Sequence, residues 1–507
     1  MRVVSASVER EVKMLAPQAF ELPSMDGALP GLTDGVPTRM ELDATYYDTE
    51  DLTLARTGVT LRYRSGESGA PWTVKLPKQA AASTLTRLEI RFDGAPDNVP
   101  AAARDLVRGY LRSRRLRPVA RLHTQRTCVL LLDVQGNSIA ELVDDLVTAF
   151  DGERQIGLFH EVELELVGTR RRRRLQRAAA QRLAAAGCTT PAPALPKLAR
   201  ALGERATAPA DLIIPPLDAA PTVADLIRHS LTRSVDRLIR HDAGVRLGED
   251  PEPVHQFRVA ARTLRSNLKT FSPVLDREWA GVLGTELAWL GSAAGMTRDL
   301  DVLEQRLRRT TAAALSADDA PGRTMLFNRL GQQKRQARKA MLSALRSDRY
   351  DSLLDTLVDG AAAPRLADDA PVDAVARAFL RRVARTQVRR LDRVVAGAAD
   401  PPSDTDLHVI RIQAKRTRYA IEAARPVIGR PAKDHAAALA HLQDVLGEFH
   451  DSAVAVQWLR EAAAARPTCG LVAGQLIVGE RAEQAQLRQV VHDAWRAAGG
   501  SKLRRWL

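Results

Sequence analysis

The sequence of 507 residues predicts an α+β domain followed by an all-α domain. Short segments that alternate charged and apolar residues recur through residues 1–202, and this alternation is typical of antiparallel strands. A proline-containing linker is expected over residues 203–220. In residues 221–507 apolar residues recur at helical spacing and the strand patterns vanish. A chain of this length also exceeds the usual size of one domain.

The net charge of +14 and the pI of about 10.1 indicate a polyanionic partner: nucleic acid, an anionic membrane or a phosphate polymer. Aromatic residues make up only 4% of the chain, which disfavours binding of single strands by base stacking. The three cysteines form no CxxC pair, so neither a disulfide framework nor a zinc site is expected. Without a signal-peptide pattern or a long apolar run, we expect a cytoplasmic protein with no membrane partner.

The first domain contains a series of predicted strands. They are residues 8–13, 46–49, 59–64, 72–76, 87–91, 122–132, 141–144 and 161–166. In most of them the charged residues share one face, as they would in an ordinary antiparallel sheet with one face in water. A solvated face usually mixes Thr, Ser, Gln and Lys, however, whereas Arg and Glu recur here. A closed sheet with a charged interior explains this pattern better.

The first predicted strand carries an unusual set of charges. Glu9, Glu11 and Lys13 lie on one face because side chains alternate along a strand, and Val8 and Val12 then point into a core. The carboxylates can hold a hard divalent cation that bridges phosphate oxygens, and the lysine can contact phosphate directly. An exposed strand face, or a helix with a Glu9–Lys13 pair, would also account for this segment alone.

Other segments follow this one in a specific order. They are Tyr46-Tyr47-Asp48-Thr49, Gly58 to Arg64, Trp72 to Pro77, Arg87 with Glu89, Thr124-x-Arg126 and Glu161-x-Glu163-x-Glu165. Together with Glu9-x-Glu11-x-Lys13, this ordered set resembles the CYTH family, also called triphosphate tunnel metalloenzymes, over about residues 1–202. The resemblance implies an eight-stranded antiparallel tunnel that hydrolyses a triphosphate with Mg²⁺ or Mn²⁺ as cofactor.

The resemblance also implies roles for individual residues. The implied metal ligands or water-orienting carboxylates are Glu9, Glu11, Glu161 and Glu163. The implied phosphate-binding cations are Lys13, Arg62, Arg64, Lys75, Arg87 and Arg126, with Glu89 and Asp144 as supporting carboxylates. Lys197 follows Pro196 at a place where the family often has a Ser-Lys pair. Such a set suits phosphoryl transfer, which requires positioning and charge stabilisation. The alternative for the arginines is that they form ion pairs on the protein surface.

The second domain contains a predicted helix, residues 255–269, with two distinct faces. The basic face carries His255, Arg258, Arg262, Arg265 and Lys269, and the apolar face carries Phe257, Ala261, Leu264, Leu268 and Phe271. The apolar face predicts an ordinary core contact. Like charges at these spacings repel one another and no acidic residue intervenes, so an external polyanion is expected to bind the basic face.

The same pattern returns further along the chain, where His408 lies 153 positions after His255. The second basic face carries His408, Arg411, Lys415 and Arg418, and Ile410, Ala414 and Ile421 repeat the apolar face. We therefore predict an internal duplication with halves at about residues 221–362 and 372–507. Glu422 stands where the first half has Lys269, so the first half is expected to bind a polyanion more strongly.

These paired helices resemble the CHAD domain, a conserved-histidine α-helical module that often follows CYTH, over about residues 221–507. The resemblance implies binding of inorganic polyphosphate in a basic groove or pore between the halves. His255 and His408 either contact phosphate or pack at helix N-termini. For Arg298-Asp299-x-Asp301, an Asp–Arg network that orients the basic helices is favoured over a metal pair.

These features predict that the first domain hydrolyses inorganic triphosphate and that the second binds polyphosphate, with no specific nucleic-acid partner. The alternatives are an organic triphosphate such as thiamine triphosphate, cyclisation of ATP, and a non-catalytic polyphosphate-binding scaffold. The complete set of Glu9, Glu11 and Lys13 disfavours the scaffold. We also expect association with polyphosphate granules, and the sequence predicts no particular oligomeric state.

Overall fold

A computed structural model describes residues 4–81, 84–166, 172–191 and 194–507. The chain divides into two compact units, Met1–Asp211 and Leu212–Leu507. The first unit contains the strands, and the described residues of the second unit form helices and their connections. The α+β and all-α architectures predicted from the sequence are therefore confirmed.

Nine strands and five helices occur in the described residues of the first unit. The strands are β1 (Ser5–Ala16), β2 (Thr33–Asp34), β3 (Thr38–Asp48), β4 (Thr60–Ser65), β5 (Trp72–Ala81), β6 (Thr84–Phe92), β7 (Arg117–Leu132), β8 (Ser138–Asp151) and β9 (Arg154–Leu166). The helices are α1 (Thr53–Arg56), α2 (Ala101–Leu111), α3 (Arg172–Ala185), α4 (Lys197–Leu202) and α5 (Glu204–Thr207).

Eight of these described strands close into an antiparallel ring. Their order is β7-β3-β4-β5-β6-β1-β9-β8, and β8 pairs again with β7. Closure depends on β7, which is 16 residues long and pairs with β3 along one edge and with β8 along the other. The short strand β2 pairs with the end of β7 outside the ring. The predicted eight-stranded antiparallel tunnel is confirmed.

Alternation along the strands separates a charged interior from an apolar exterior. On β9, Val162 and Leu164 pack outside the ring in a core that includes Leu175 of α3, and Val12 of β1 packs against the same core. The prediction that Val8 also lies in a core is wrong, since its side chain is 46% exposed. Among the described residues, this core meets β1 only from Val12 onward, so the outer face at Val8 is left uncovered.

The second unit consists of long helices in its described residues. They are α6 (Val223–Leu247), α7 (Glu252–Thr270), α8 (Arg277–Ala314), α9 (Ala320–Leu345), α10 (Asp348–Ala362), α11 (Ala376–Ala396), α12 (Asp404–Ile428), α13 (Arg430–Ala465), α14 (Gly470–Ala498) and α15 (Ser501–Arg504). A single 3-10 turn, Pro467–Cys469, separates α13 from α14.

The order of helices repeats within the second unit. Helices α6 to α10 precede the connection at residues 363–375, and α11 to α15 follow it. Arg277 begins α8 and Arg430 begins α13, which is the spacing already seen between the two basic helices. The apolar faces of α7 and α12 are buried as predicted, with Phe257 and Ala414 both at 0% exposure. Among the described residues, no helix combines the length and apolarity needed to cross a membrane.

Candidate functional site

Charged side chains from neighbouring strands line the interior of the closed sheet. Strands β1 and β9 lie side by side, with Lys13 opposite Glu163 and Glu11 opposite Glu165. The side chains of Glu11, Lys13 and Glu163 are almost inaccessible to solvent. Glu9 also lies on β1, but its side chain falls outside the described part of the structure. Buried charges of both signs therefore meet directly in this interior.

Three of the described carboxylates form a group that suits a metal ion. One oxygen from each of Glu11, Glu163 and Glu165 lies within 4.8 Å of the others. Carboxylate oxygens are the ligands that Mg²⁺ and Mn²⁺ prefer, so these residues fit a divalent ion. Of the predicted metal ligands, the structure brings Glu11 and Glu163 into the group, places Glu161 outside it, and adds Glu165.

Glu161 contacts cations instead. The ammonium of Lys197, the first residue of α4, lies 2.8 Å from Glu161, 2.7 Å from Glu163 and 3.0 Å from Asp145. Arg200, one helical turn later, donates to Glu161 at 3.3 Å. Burial lowers the pKa of Lys197, but the three carboxylates outweigh burial and raise this pKa well above its usual value. Lys197 is therefore a permanent cation inside the sheet.

Lys13 is a second internal cation. Its ammonium donates a hydrogen bond to Glu163 and lies 3.3 Å from Glu161 and 3.6 Å from Glu11. Burial lowers the pKa of Lys13, and the charges of Glu11, Glu161 and Glu163 outweigh burial, so that the pKa is raised. Lys13 thus keeps its charge at neutral pH, as a phosphate-binding lysine requires.

A cavity of about 270 Å³ lies within the sheet. All the predicted phosphate-binding residues line it, namely Lys13, Arg62, Arg64, Lys75, Arg87 and Arg126, together with Glu89. Lys75 lies 2.9 Å from Glu89, and Arg87 donates a hydrogen bond to Glu11. Burial raises the pKa of Glu89, but Lys75, Arg62 and Arg91 together outweigh burial and hold this pKa well below its ordinary value. The structure thus gathers in one cavity residues that are far apart in the sequence.

The carboxylate that orients Arg126 is Asp145. The two residues are opposite each other in the β7–β8 register and form two hydrogen bonds of 2.8 and 2.7 Å. Asp144 faces the other side of β8, where its carboxylate lies 2.6 Å from the His160 ring. The prediction that Asp144 supports the site is therefore wrong, because adjacent residues of a strand point to opposite faces. Pairing β8 with β7 in the correct register would have identified Asp145.

Removing the charge of Asp145 should destabilise the first unit. Asp145 is fully buried beside Arg126 and Lys197, so Asp145→Asn leaves two interior cations short of a carboxylate. We expect a loss of about 3–5 kcal/mol in the free energy of unfolding. Asp144→Asn breaks only the outer contact with His160 and should cost about 1 kcal/mol. Calorimetry of the full chain measures both, and equal losses would contradict the interior position of Asp145.

The second unit contains a separate and larger cavity of about 1240 Å³. We call it the basic groove. Its lysines and arginines come from four helices, α6, α7, α12 and α13, and they are Arg233, Arg237, Arg262, Arg411, Lys415, Arg418, Arg425, Arg430 and Lys433. The acidic residues that line it are Glu422, Asp434 and Asp444. Cations therefore clearly outnumber carboxylates in the described lining.

Five of the nine predicted polyphosphate-binding residues line the basic groove. These are His255, Arg262, Arg411, Lys415 and Arg418. The lining does not include Arg258, Arg265, Lys269 or His408 in the described structure. Arg258 instead donates to Asp299 at 2.8 Å and to the carbonyl of Gly295 at 3.1 Å, and the His408 ring lies 5.9 Å from that of His450. The sequence missed the contribution of α6, since Arg233 and Arg237 become groove residues only when that helix packs beside α7.

The centre of the basic groove is a cluster of incompletely compensated cations. Burial and the neighbouring charges of Arg262 and Arg411 lower the pKa of Lys415 to about 7. Burial likewise lowers the pKa of Arg262, with Arg258 and Arg418 contributing. The Nε atoms of Arg262 and Arg418 are buried without a hydrogen-bond acceptor among the described residues. Such a cluster is costly in the free protein and favours a bound polyanion.

The Asp299 and Asp301 carboxylates have different cationic partners. Asp299 accepts a hydrogen bond from Arg258 of α7, whereas Asp301 lies 2.7 Å from Lys334 of α9. This arrangement matches the Asp–Arg network that the sequence favoured. Each carboxylate has its own cationic partner in place of a shared metal ion. Arg258 thus holds α7 against α8.

Comparisons with known proteins identify two families along the chain. The model of the CYTH domain matches residues 7–183, and the model of the CHAD domain matches residues 229–460. A Mycobacterium tuberculosis (strain H37Rv) protein that bears the name "uncharacterized protein" is 33% identical over 490 residues, which cover 91% of this chain and 90% of that protein.

Solved structures of other proteins are similar to part of the chain. The CHAD domain from the plant Ricinus communis is 28% identical, covers 57% of this chain and 96% of its own, and has a TM-score of 0.47. PptA from Streptomyces chartreusis is 23% identical, covers 55% of this chain and 100% of its own, and has a TM-score of 0.46.

Proposed function

Because the chain belongs to the CYTH family in residues 7–183 and to the CHAD family in residues 229–460, we propose that its first unit is a metal-dependent inorganic triphosphatase and its second unit binds polyphosphate. Hydrolysis would release phosphate and pyrophosphate. The observation that carries the proposal is the cavity of the first unit, where six cations predicted to bind phosphate meet the carboxylate group Glu11, Glu163 and Glu165.

Each side chain would contribute in a distinct way. Glu11, Glu163 and Glu165 would hold Mg²⁺ or Mn²⁺, which when bound supplies positive charge against phosphate oxygens and activates water. Arg62, Arg64, Lys75 and Arg87 would bind the non-bridging oxygens. Arg126, held in place by two hydrogen bonds to Asp145, would stabilise the charge that develops on the leaving group.

The cavity lining favours an inorganic substrate over a nucleotide or thiamine triphosphate. Tyr46 is the only aromatic residue in the described lining, and its hydroxyl accepts a hydrogen bond from Arg62 at 3.2 Å. A nucleobase or a thiazolium ring would require an apolar or aromatic surface. The described lining is mainly charged, so neither ATP cyclisation nor thiamine triphosphate hydrolysis is supported by a specific contact surface.

The basic groove supports binding of a longer polyanion by the second unit. Its volume exceeds that of the cavity in the first unit, and its central cations lack sufficient counter-charge. Tethering this groove to the triphosphatase would raise the effective concentration of phosphate chains near the first unit. It would also bring the protein to polyphosphate granules.

Phosphate release from tripolyphosphate, ATP, thiamine triphosphate and long-chain polyphosphate, each with Mg²⁺ or Mn²⁺, tests the proposal. We expect kcat/KM for tripolyphosphate to exceed the other values by about tenfold or more. A higher kcat/KM for ATP or thiamine triphosphate would identify that compound, and not tripolyphosphate, as the substrate. Hydrolysis of none of them, with polyphosphate still bound, would contradict the triphosphatase and favour the scaffold.

A further inference from the structure

A carboxylate from a surface loop enters the cation-lined cavity of the first unit. Glu67 lies in the loop that joins β4 to β5, and it lines the cavity together with Arg64 and Arg91. It forms an ion pair with Arg64 and lies 3.9 Å from the guanidinium of Arg91. Glu67 was not among the residues predicted from the sequence, and neither was Arg91.

These three residues lie at one end of the tunnel. Arg91 is opposite Ser5 at the beginning of β1, whereas Lys13, near the other end of that strand, is opposite Glu163. The Glu67 end is therefore separated along β1 from the group that contains Lys13 and Lys197. A phosphate chain that reaches from the carboxylates toward the β4–β5 loop would meet Glu67.

The loop holds Glu67 in position through a close backbone approach. Gly66 has a φ of +90°, and a Cβ atom at that position would clash with the backbone oxygen of Glu41 on β3. Only glycine accommodates both this backbone conformation and this contact. The packing of the loop against β3 thus fixes the backbone immediately before Glu67.

The cations around Glu67 form a site that requires negative charge. Burial and the nearby charges of Arg62 and Arg126 lower the pKa of Arg64 to about 10, while Glu67 opposes this shift. Arg91 also donates to Glu89 at 2.6 Å. Guanidinium groups bind carboxylate and phosphate oxygens with the same geometry, so Glu67 occupies a place that a phosphate group can take.

We propose that Arg91 extends the phosphate-binding set beyond Arg64 to form an additional phosphate subsite at the loop end of the tunnel, and that Glu67, which contacts both arginines, fills this subsite in the free protein. This inference rests on the proposed function of the first unit. A phosphate chain must displace Glu67 to occupy the subsite, so Glu67 weakens binding and sets the response to chain length. Glu67 is a specificity residue with no role in the chemical step.

Steady-state kinetics of Glu67→Gln with tripolyphosphate and tetraphosphate test the subsite. We expect KM to fall about three- to fivefold, more for tetraphosphate than for tripolyphosphate, with kcat unchanged. Glu153→Gln is the matched control, because Glu153 is exposed in the β8–β9 turn and outside the described cavity lining. Arg91→Met should raise KM for tetraphosphate and reduce the effect of Glu67→Gln in the double variant.

The outcomes separate this inference from the proposed function. If the wild type hydrolyses tripolyphosphate and Glu67→Gln leaves or raises KM, the subsite is overturned while the triphosphatase stands. An equal fall in KM for Glu153→Gln would also overturn it, since net charge alone would then explain the effect. If calorimetric titration shows that the wild type neither hydrolyses nor binds tripolyphosphate, both proposals fail together.

Discussion

Replacing Glu163 by glutamine should lower kcat/KM for tripolyphosphate by about a thousandfold or more. Glu163 belongs to the carboxylate group that suits a metal, and it also contacts Lys13 and Lys197. Burial raises its pKa, but these two lysines together with Arg126 outweigh burial and hold the pKa well below its ordinary value, so the carboxylate is charged. Glutamine keeps the shape and removes the charge that a divalent ion requires. Phosphate release with saturating Mg²⁺ measures the loss.

The titration of Mn²⁺ followed by electron paramagnetic resonance provides a readout that does not depend on turnover. Glu163→Gln should weaken Mn²⁺ binding strongly, whereas Glu161→Gln should weaken it less, because Glu161 lies outside the metal group and is paired with Lys197. Glu153→Gln is again the control for the loss of one negative charge. Circular dichroism should show that each variant is folded. A Glu163→Gln variant with unchanged Mn²⁺ affinity would remove Glu163 from the metal site.

The sequence predicted the interior of the first unit well because strand periodicity is local. Once Glu11 is placed on the inner face of β1, Lys13 must share that face, and the same holds for Glu161 and Glu163 on β9. Which charges become partners depends instead on register between strands. The local pattern therefore could not distinguish Asp144 from Asp145, or show that Glu165 rather than Glu161 joins Glu11 and Glu163.

The basic groove shows the same division between local pattern and tertiary packing. The faces of α7 and α12 follow from helical spacing, and their apolar residues are buried as predicted. However, only some residues of the basic face of each helix line the groove. Arg258 turns toward α8 and contacts Asp299, while α6 supplies Arg233 and Arg237. Only the packing of neighbouring helices decides which residues of the basic face line the groove.

Polyphosphate affinity should fall as the pH rises from about 7.5 to 9.5, because Lys415 is then mainly neutral in the free protein and must take up a proton when the polyanion binds. Burial and the cations Arg262 and Arg411 lower the Lys415 pKa to about 7 in the free protein. A bound polyanion raises this pKa again, so binding takes up a proton when the pH exceeds about 7. One linked proton reduces affinity by at most about tenfold per pH unit. Titration calorimetry in buffers of different ionisation enthalpy measures both affinity and proton uptake.

Lys415→Arg should remove this pH dependence, since a guanidinium keeps its charge throughout the range. The variant should bind polyphosphate more tightly than the wild type at pH 9.5 and with similar affinity at pH 6.5. Burial and Arg298 lower the pKa of His255 from its ordinary value of 6.5. The Lys415→Arg variant keeps this histidine, so a pH dependence caused by His255 would appear in both proteins. Identical pH profiles for the two proteins would exclude Lys415 as the titrating group.

The free energy of unfolding should rise with pH in the range where the polyphosphate affinity falls. The folded-state pKa of Lys415 lies below its ordinary value of 10.5, so between about pH 7 and 10.5 the unfolded chain binds the additional proton. The contribution of Lys415 to stability therefore rises with pH through this window and is least favourable below it. Lys415→Met should raise Tm at pH 6, where the wild type carries the buried charge, by about 2 °C or more.

At pH 9.5 the same Lys415→Met substitution should change Tm much less, because most of the wild-type lysine is then already neutral. Any effect of the methionine on packing is the same at both pH values, so the difference between them isolates the charge. Saturating polyphosphate should reverse the order at pH 6 and make the wild type the more stable protein. If Lys415→Met were no more stable than the wild type at pH 6, the cluster around Lys415 would not be short of negative charge, and the basic groove would lose its strongest reason to bind a polyanion.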